Sequence, residues 1–60
     1  MSSLSNRQVR ILDILRGGDA TSHYLAQQID APMASVRRDI QGLRHAGYSI
    51  PYYGGLFRLA

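Results

Sequence analysis

Sixty residues with no cysteine and a formal net charge of +3 allow one small domain, held by apolar packing because neither a disulfide framework nor a thiolate zinc site is available. The start Met-Ser-Ser-Leu-Ser carries no apolar h-region, and no apolar run approaches the roughly 18 residues of a membrane span, so a cytoplasmic protein without a membrane partner is expected. In residues 1–30 Arg7, Arg10 and Arg16 balance Asp13, Asp19 and Asp30, whereas Arg37, Arg38, Arg44 and Arg58 face Asp39 alone in residues 31–60. This excess suits a polyanion, and arginine's planar fork grips phosphate or a guanine edge bidentately.

Ser5-Asn6-Arg7-Gln8 matches a capping box, in which Ser5 accepts from the Gln8 N–H and the Gln8 side chain reaches back. Ile11, Leu12 and Leu15 then repeat at helical spacing until Gly17-Gly18-Asp19, which predicts helix 1 over about residues 6–16. Thr21 or Ser22 caps a helix 2 of about two turns, residues 22–29, with Tyr24 or Leu25, Ala26 and Ile29 inward. Asp30-Ala31-Pro32 breaks it, since Asp tolerates the left-handed conformation and Pro suits the first position of a new helix. Helix 3 runs over about 32–46, with Gly47 as its C′ residue. At about 100° per residue Val36, Ile40 and Leu43 share one face with Met33 beside them. Ala34, Arg38, Gln41 and His45 fall opposite, flanked by Ser35 and Arg37.

The tail from Tyr48 to Leu59 changes to aromatic and β-branched residues around Gly54-Gly55, which reads as a β-hairpin with Pro51 at an edge position. Alternation turns one of Tyr52 and Tyr53 inward and the other outward, without deciding which. The expected core is Leu4, Ile11, Leu12, Leu15, Leu25, Ile29, Val36, Ile40, Leu43, Ile50, Phe57 and Leu59. Three helices and a hairpin make a single mainly α domain over 1–60, a winged helix-turn-helix whose third helix enters a DNA major groove.

Ser-Val-Arg-Arg-Asp-Ile at 35–40, with Leu43, Gly47 and Gly54-Gly55, resembles the winged helix-turn-helix of DeoR-type repressors. Leu25-Ala26 through Leu43-Arg44 is similar to the N-terminal domain of biotin-operon repressors. The likeness covers about residues 7–59 and implies that the helix beginning near Pro32 reads DNA, that Ser35, Arg37 and Arg38 face it, and that Gly54-Gly55 form the wing tip. This chain departs from the pattern with Asp30 at the usual turn glycine and Ala31-Pro32 at the usual serine cap. Nothing in it corresponds to a sugar-phosphate sensing domain or a biotin ligase domain.

The expected DNA-contacting set comprises Ser22 and His23 at the start of helix 2, Ala34, Ser35, Arg37, Arg38, Gln41 and His45 on helix 3, and Tyr53, Gly54, Gly55 and Arg58 in the wing. Asp39 reads as structural, orienting Arg38 or a helix 1 arginine, while Arg37 has Asp30 and Asp39 as alternative partners. His23 and His45 lack Cys, Glu or H-x₃-H company, so a surface or phosphate-contacting role is expected and no metal. No catalytic motif occurs, and a domain this small is expected to lack a pocket of roughly 300 Å³ or more, so neither enzyme activity, cofactor nor small-molecule ligand is expected. The function expected is sequence-specific double-stranded DNA binding by a bacterial or phage transcriptional regulator such as a repressor, with a homodimer on DNA as an option. The alternatives are a winged helix that packs on a protein partner, the DNA-binding head of a longer regulator, and an excisionase-like architectural protein.

Overall fold

The structure, a computed structural model, describes residues 3–60. Three helices, α1 (Asn6–Arg16), α2 (Ser22–Ile29) and α3 (Met33–His45), precede a hairpin of β1 (Tyr52–Tyr53) and β2 (Leu56–Phe57). The architecture is a mainly helical helix-turn-helix with a small wing.

Each boundary has a local cause. The capping box forms as the spacing predicts: Gln8 N–H donates to Ser5 Oγ at 3.2 Å, and Ser5 N–H donates to Gln8 Oε1 at 2.9 Å. Of the two candidate caps of α2, Thr21 takes the role, its Oγ1 accepting from Tyr24 N–H at 3.0 Å. Asp30 ends α2 in the left-handed conformation, φ 54° and ψ 52°, and so supplies the sharp turn usually made by glycine. Pro32 lies one position earlier than expected: its ψ of 156° is extended, making it the N-cap of α3 rather than its first helical residue. At the other end Ala46 is the C-cap, so α3 is one residue shorter than expected at both ends. Gly47 N–H returns to Arg44 O and Tyr48 N–H to Leu43 O, both at 3.1 Å, a Schellman closure that turns the chain toward the wing.

Ile11, Leu12, Leu15, Leu25, Val36, Ile40, Leu43, Ile50 and Phe57 form the buried core with Ala20. Each large apolar side chain contributes roughly 1.5–3 kcal/mol by leaving water, the dominant stabilisation in a cysteine-free domain. Leu4, Ile29 and Leu59, expected in the core, are half-buried and pack on its margin. Ile29 is the last residue of α2, and Leu4 and Leu59 lie just outside α1 and β2, so one side of each is open to solvent. Ala20 is the converse case, 5% exposed without belonging to any helical apolar stripe.

Ala20 is buried because a β-bridge ties it to β2. Its N–H donates to Phe57 O at 3.1 Å and its carbonyl accepts from Phe57 N–H at 2.8 Å, so one residue of the α1–α2 connection pairs antiparallel with β2. On the other side Tyr52 pairs with Phe57 and Tyr53 with Leu56. Gly54 and Gly55 close the hairpin at φ 59° and 83°, the two consecutive positive values of a type I′ turn, which a Cβ would strain. The wing expected over 48–59 is regular only at its tip, although Arg58 N–H still reaches Pro51 O at 3.1 Å and Ala60 N–H reaches Ser49 O at 3.0 Å. Pro51 stands just before the edge strand β1 and cannot return a bond to Arg58.

Candidate nucleic-acid interface

The outer side of α3 is set by what holds its inner side. Val36, Ile40 and Leu43 are at most 1% exposed, and two polar contacts with α1 fix the helix about its axis. Asp39 is 6% exposed and meets Arg7, whose Nη2 donates to Oδ1 at 3.4 Å while Nε lies 3.0 Å from Oδ2. The Nε contact is ionic rather than a directed hydrogen bond, so Oδ2 has no hydrogen-bond partner. Gln8 Nε2 donates to Asp39 O at 3.3 Å. It also occupies the space where a side chain at position 42 would begin, 2.5 Å from an ideal Cβ on Gly42. Asp39 is therefore a structural residue serving a helix 1 arginine.

With α3 held in this way, Ala34, Arg37, Arg38, Gln41 and His45 are exposed and Ser35 is half-buried at the edge of the strip. The arginines divide sharply. Arg7 is engaged by Asp39, Arg10 donates to Gln28 O at 3.1 Å, and Arg16 pairs with Asp13 at 2.9 Å. Arg44 donates through Nε and Nη2 to Ile50 O at 3.0 and 2.6 Å, so part of the C-terminal charge excess pins the α3–wing connection. Arg58 is held by Asp19. Arg37 and Arg38 have no hydrogen-bond or ion-pair partner among the described residues, and neither Asp30 nor Asp39 takes Arg37.

A cleft of about 350 Å³ separates α3 from the wing, lined by Ser22, Arg37, Ile40, Gln41, Arg44, Tyr52 and Phe57. It brings the N-terminus of α2 to the basic side of α3. A second groove of about 560 Å³ lies behind it, between Ile14, Ala20, Tyr24 and Leu56. Both exceed the size expected of so small a domain, because they are open furrows between elements rather than enclosed cavities. His23 lies on the exposed side of α2, within 3.4 Å of Gln27. Among the described residues no group of three or more His, Cys, Asp or Glu side chains gathers as a metal site, and no helix is long and apolar enough to cross a membrane.

The hairpin register decides the tyrosine question. Tyr52 shares a sheet face with Phe57, their ring centroids 4.8 Å apart at 54°, and so stands over the α3 cleft while still 59% exposed. Tyr53 is on the other face and 86% exposed. Arg58, two residues beyond Leu56, belongs to the Tyr53 face. There its Nε donates to Asp19 Oδ1 and Oδ2 at 3.2 and 3.3 Å, and Nη2 donates to Oδ2 at 3.0 Å. Hydrogen bonding from Arg58 holds the Asp19 carboxyl below its ordinary value of 3.8 against an opposing desolvation, and Coulomb attraction adds to the lowering. The same bonds raise the Arg58 guanidinium.

The expected contact residues thus form two groups. Ser22, Arg37 and Gln41 line the cleft, beside the Ala34, Arg38 and His45 strip, whereas Tyr53 and Arg58 occupy the far face of the wing with Gly54-Gly55 at the tip between them. Tyr52 is the cleft residue that sequence reasoning left undecided, and its pairing opposite Phe57 is the signal that places it. Comparisons with protein-family models, curated proteins and solved structures found no match to this chain.

Proposed function

We propose that this domain binds double-stranded DNA, with α3 in the major groove and the wing tip against the backbone, and acts by occupying its site as a small bacterial or phage transcriptional regulator. One observation carries the reading: among the described residues five of the seven arginines have a partner within the fold, and the two without one are neighbours on the exposed side of the helix that follows a sharp turn. A guanidinium held by its own chain has little to offer a polyanion, whereas an unpartnered one exchanges only water and counterions for phosphate or a base edge.

Arg38 and Gln41 lie where an inserted helix presents its base-reading side chains, and arginine on guanine with glutamine on adenine are the pairings their geometry favours. Arg37 is displaced toward the wing, with Ser22 and Tyr52 across the cleft, and this placement suits a phosphate. The rival, a winged helix that packs on a protein, calls for an apolar outer strip on α3. Here that strip is Ala34, Arg38, Gln41 and His45. The likeness to DeoR-type and biotin-operon repressors belongs to the same reading.

Selection of bound sequences from a random duplex pool, followed by anisotropy titrations over a range of salt, tests it. An enriched motif bound with a log–log salt slope of about −0.9 per phosphate contact supports the proposal. No binding to any duplex at low salt overturns it and puts the protein-partner reading first, while binding without an enriched motif puts the architectural one first.

A further inference from the structure

We propose that Asp19 competes with the DNA backbone for Arg58, so that the wing meets DNA without net charge and the phosphate contacts are set by α3. This rests on the DNA-binding reading above. The two charges are placed by the backbone rather than by chance side-chain reach. Ala20 and Phe57 exchange both backbone hydrogen bonds, which puts Asp19 and Arg58 side by side at one corner of the sheet, with three donor–acceptor contacts of 3.0–3.3 Å between them.

Carboxylate and phosphate compete for the same donor fork of the guanidinium. A phosphate that takes Arg58 leaves Asp19 unpaired beside it, anion against anion. The exchange also releases few counterions, since Arg58 is already neutralised within the fold. Removing the carboxylate changes both conditions. The depression of about 370 Å³ lined by Asp19, Pro51, Tyr53, Gly54, Leu56 and Arg58 leads from the ion pair to the hairpin tip, and it gives a released Arg58 a path to the backbone there.

The test is a cycle of four proteins, wild type, Asp19→Asn, Arg58→Gln and the double variant, titrated over salt on one duplex, with Asp19→Ser as a second form of the first change and circular dichroism melts to show each is folded. Asp19→Asn is expected to steepen the wild-type salt slope by about 0.9 and bind more tightly, the double variant to return to the wild-type slope, and Arg58→Gln, which leaves Asp19 as a lone anion, to bind more weakly than the double variant. Three results overturn the competition: a slope for the double variant shallower than wild type by about 0.9, a slope for Asp19→Asn equal to wild type, or a gain from Asp19→Asn that survives in the double variant and is therefore general charge. Wild type that binds no duplex overturns the DNA reading together with this one, whereas binding with the wrong pattern of slopes overturns the competition alone.

Discussion

Ala20 and Phe57 exchange both of their backbone hydrogen bonds, at 3.1 and 2.8 Å, and that one-residue bridge ties the connection between α1 and α2 to β2 of the wing. Ala20→Pro removes one donor and leaves the Phe57 carbonyl without its partner. A loss of about 1–3 kcal/mol is expected. Thermal melts measure it, and hydrogen exchange at the Phe57 amide should quicken more than at Ile11 or Leu12, because the wing loosens before the helices do.

Gly42 is expected to answer to Gln8 rather than to helix propensity. Alanine in place of glycine inside a helix normally stabilises by about 1 kcal/mol, but here the new Cβ meets Gln8 Nε2 at 2.5 Å. The Gln8 amide can swing away only by giving up its bonds to the Ser5 N–H and to Asp39 O. Gly42→Ala alone should therefore leave stability close to that of wild type, the helix-propensity gain offset by about 1 kcal/mol for the bonds displaced. In a Gln8→Ala background the same change should stabilise by about 1 kcal/mol, and that difference between the two melts is the expected result.

Arg37 and Arg38 are adjacent in the chain yet about 100° apart around α3, so their loss should read differently in DNA binding. Arg38→Ala is expected to cost roughly 1–3 kcal/mol on the selected duplex and to flatten the preference at one base position. Arg37→Ala, beside the wing cleft, should weaken selected and scrambled duplexes alike and make the salt slope shallower by about one. Anisotropy titrations of both variants on both duplexes check this. Equal weakening of the two duplexes by Arg38→Ala removes α3 as the reader.

Acid should loosen the wing's attachment through Asp19. Its carboxyl is held below the ordinary value of 3.8, so its contribution is fully present above that value and is lost as pH falls through the lower folded one. Melting temperatures followed downward from about pH 5 should fall further for wild type than for Arg58→Gln, in which Asp19 has no guanidinium to keep it ionised. Parallel curves would show that the pair adds nothing to stability.

Much of this fold was legible along the chain because its causes are local. The capping box at Ser5 and Gln8, the left-handed Asp30, the Gly47 closure and the Gly54-Gly55 turn each depend on a few consecutive residues. Helical spacing placed Val36, Ile40 and Leu43 inward and so put Arg38 and Gln41 outward. The misses follow the same logic. Leu4, Ile29 and Leu59 are apolar at correct spacing, but whether an element's end is covered depends on what else reaches it.

The sequence by itself determined three helices, a hairpin and a basic outer strip on α3, because backbone propensity, capping and periodicity act over a turn or two of chain. Only the tertiary structure decided which charges remain available. Arg7 meets Asp39, Arg44 meets Ile50 and Arg58 meets Asp19 across separate elements, and no spacing rule relates residues brought together by packing. Seven arginines that look equivalent in the sequence thus become, among the described residues, five with a carboxylate or carbonyl partner and two without one.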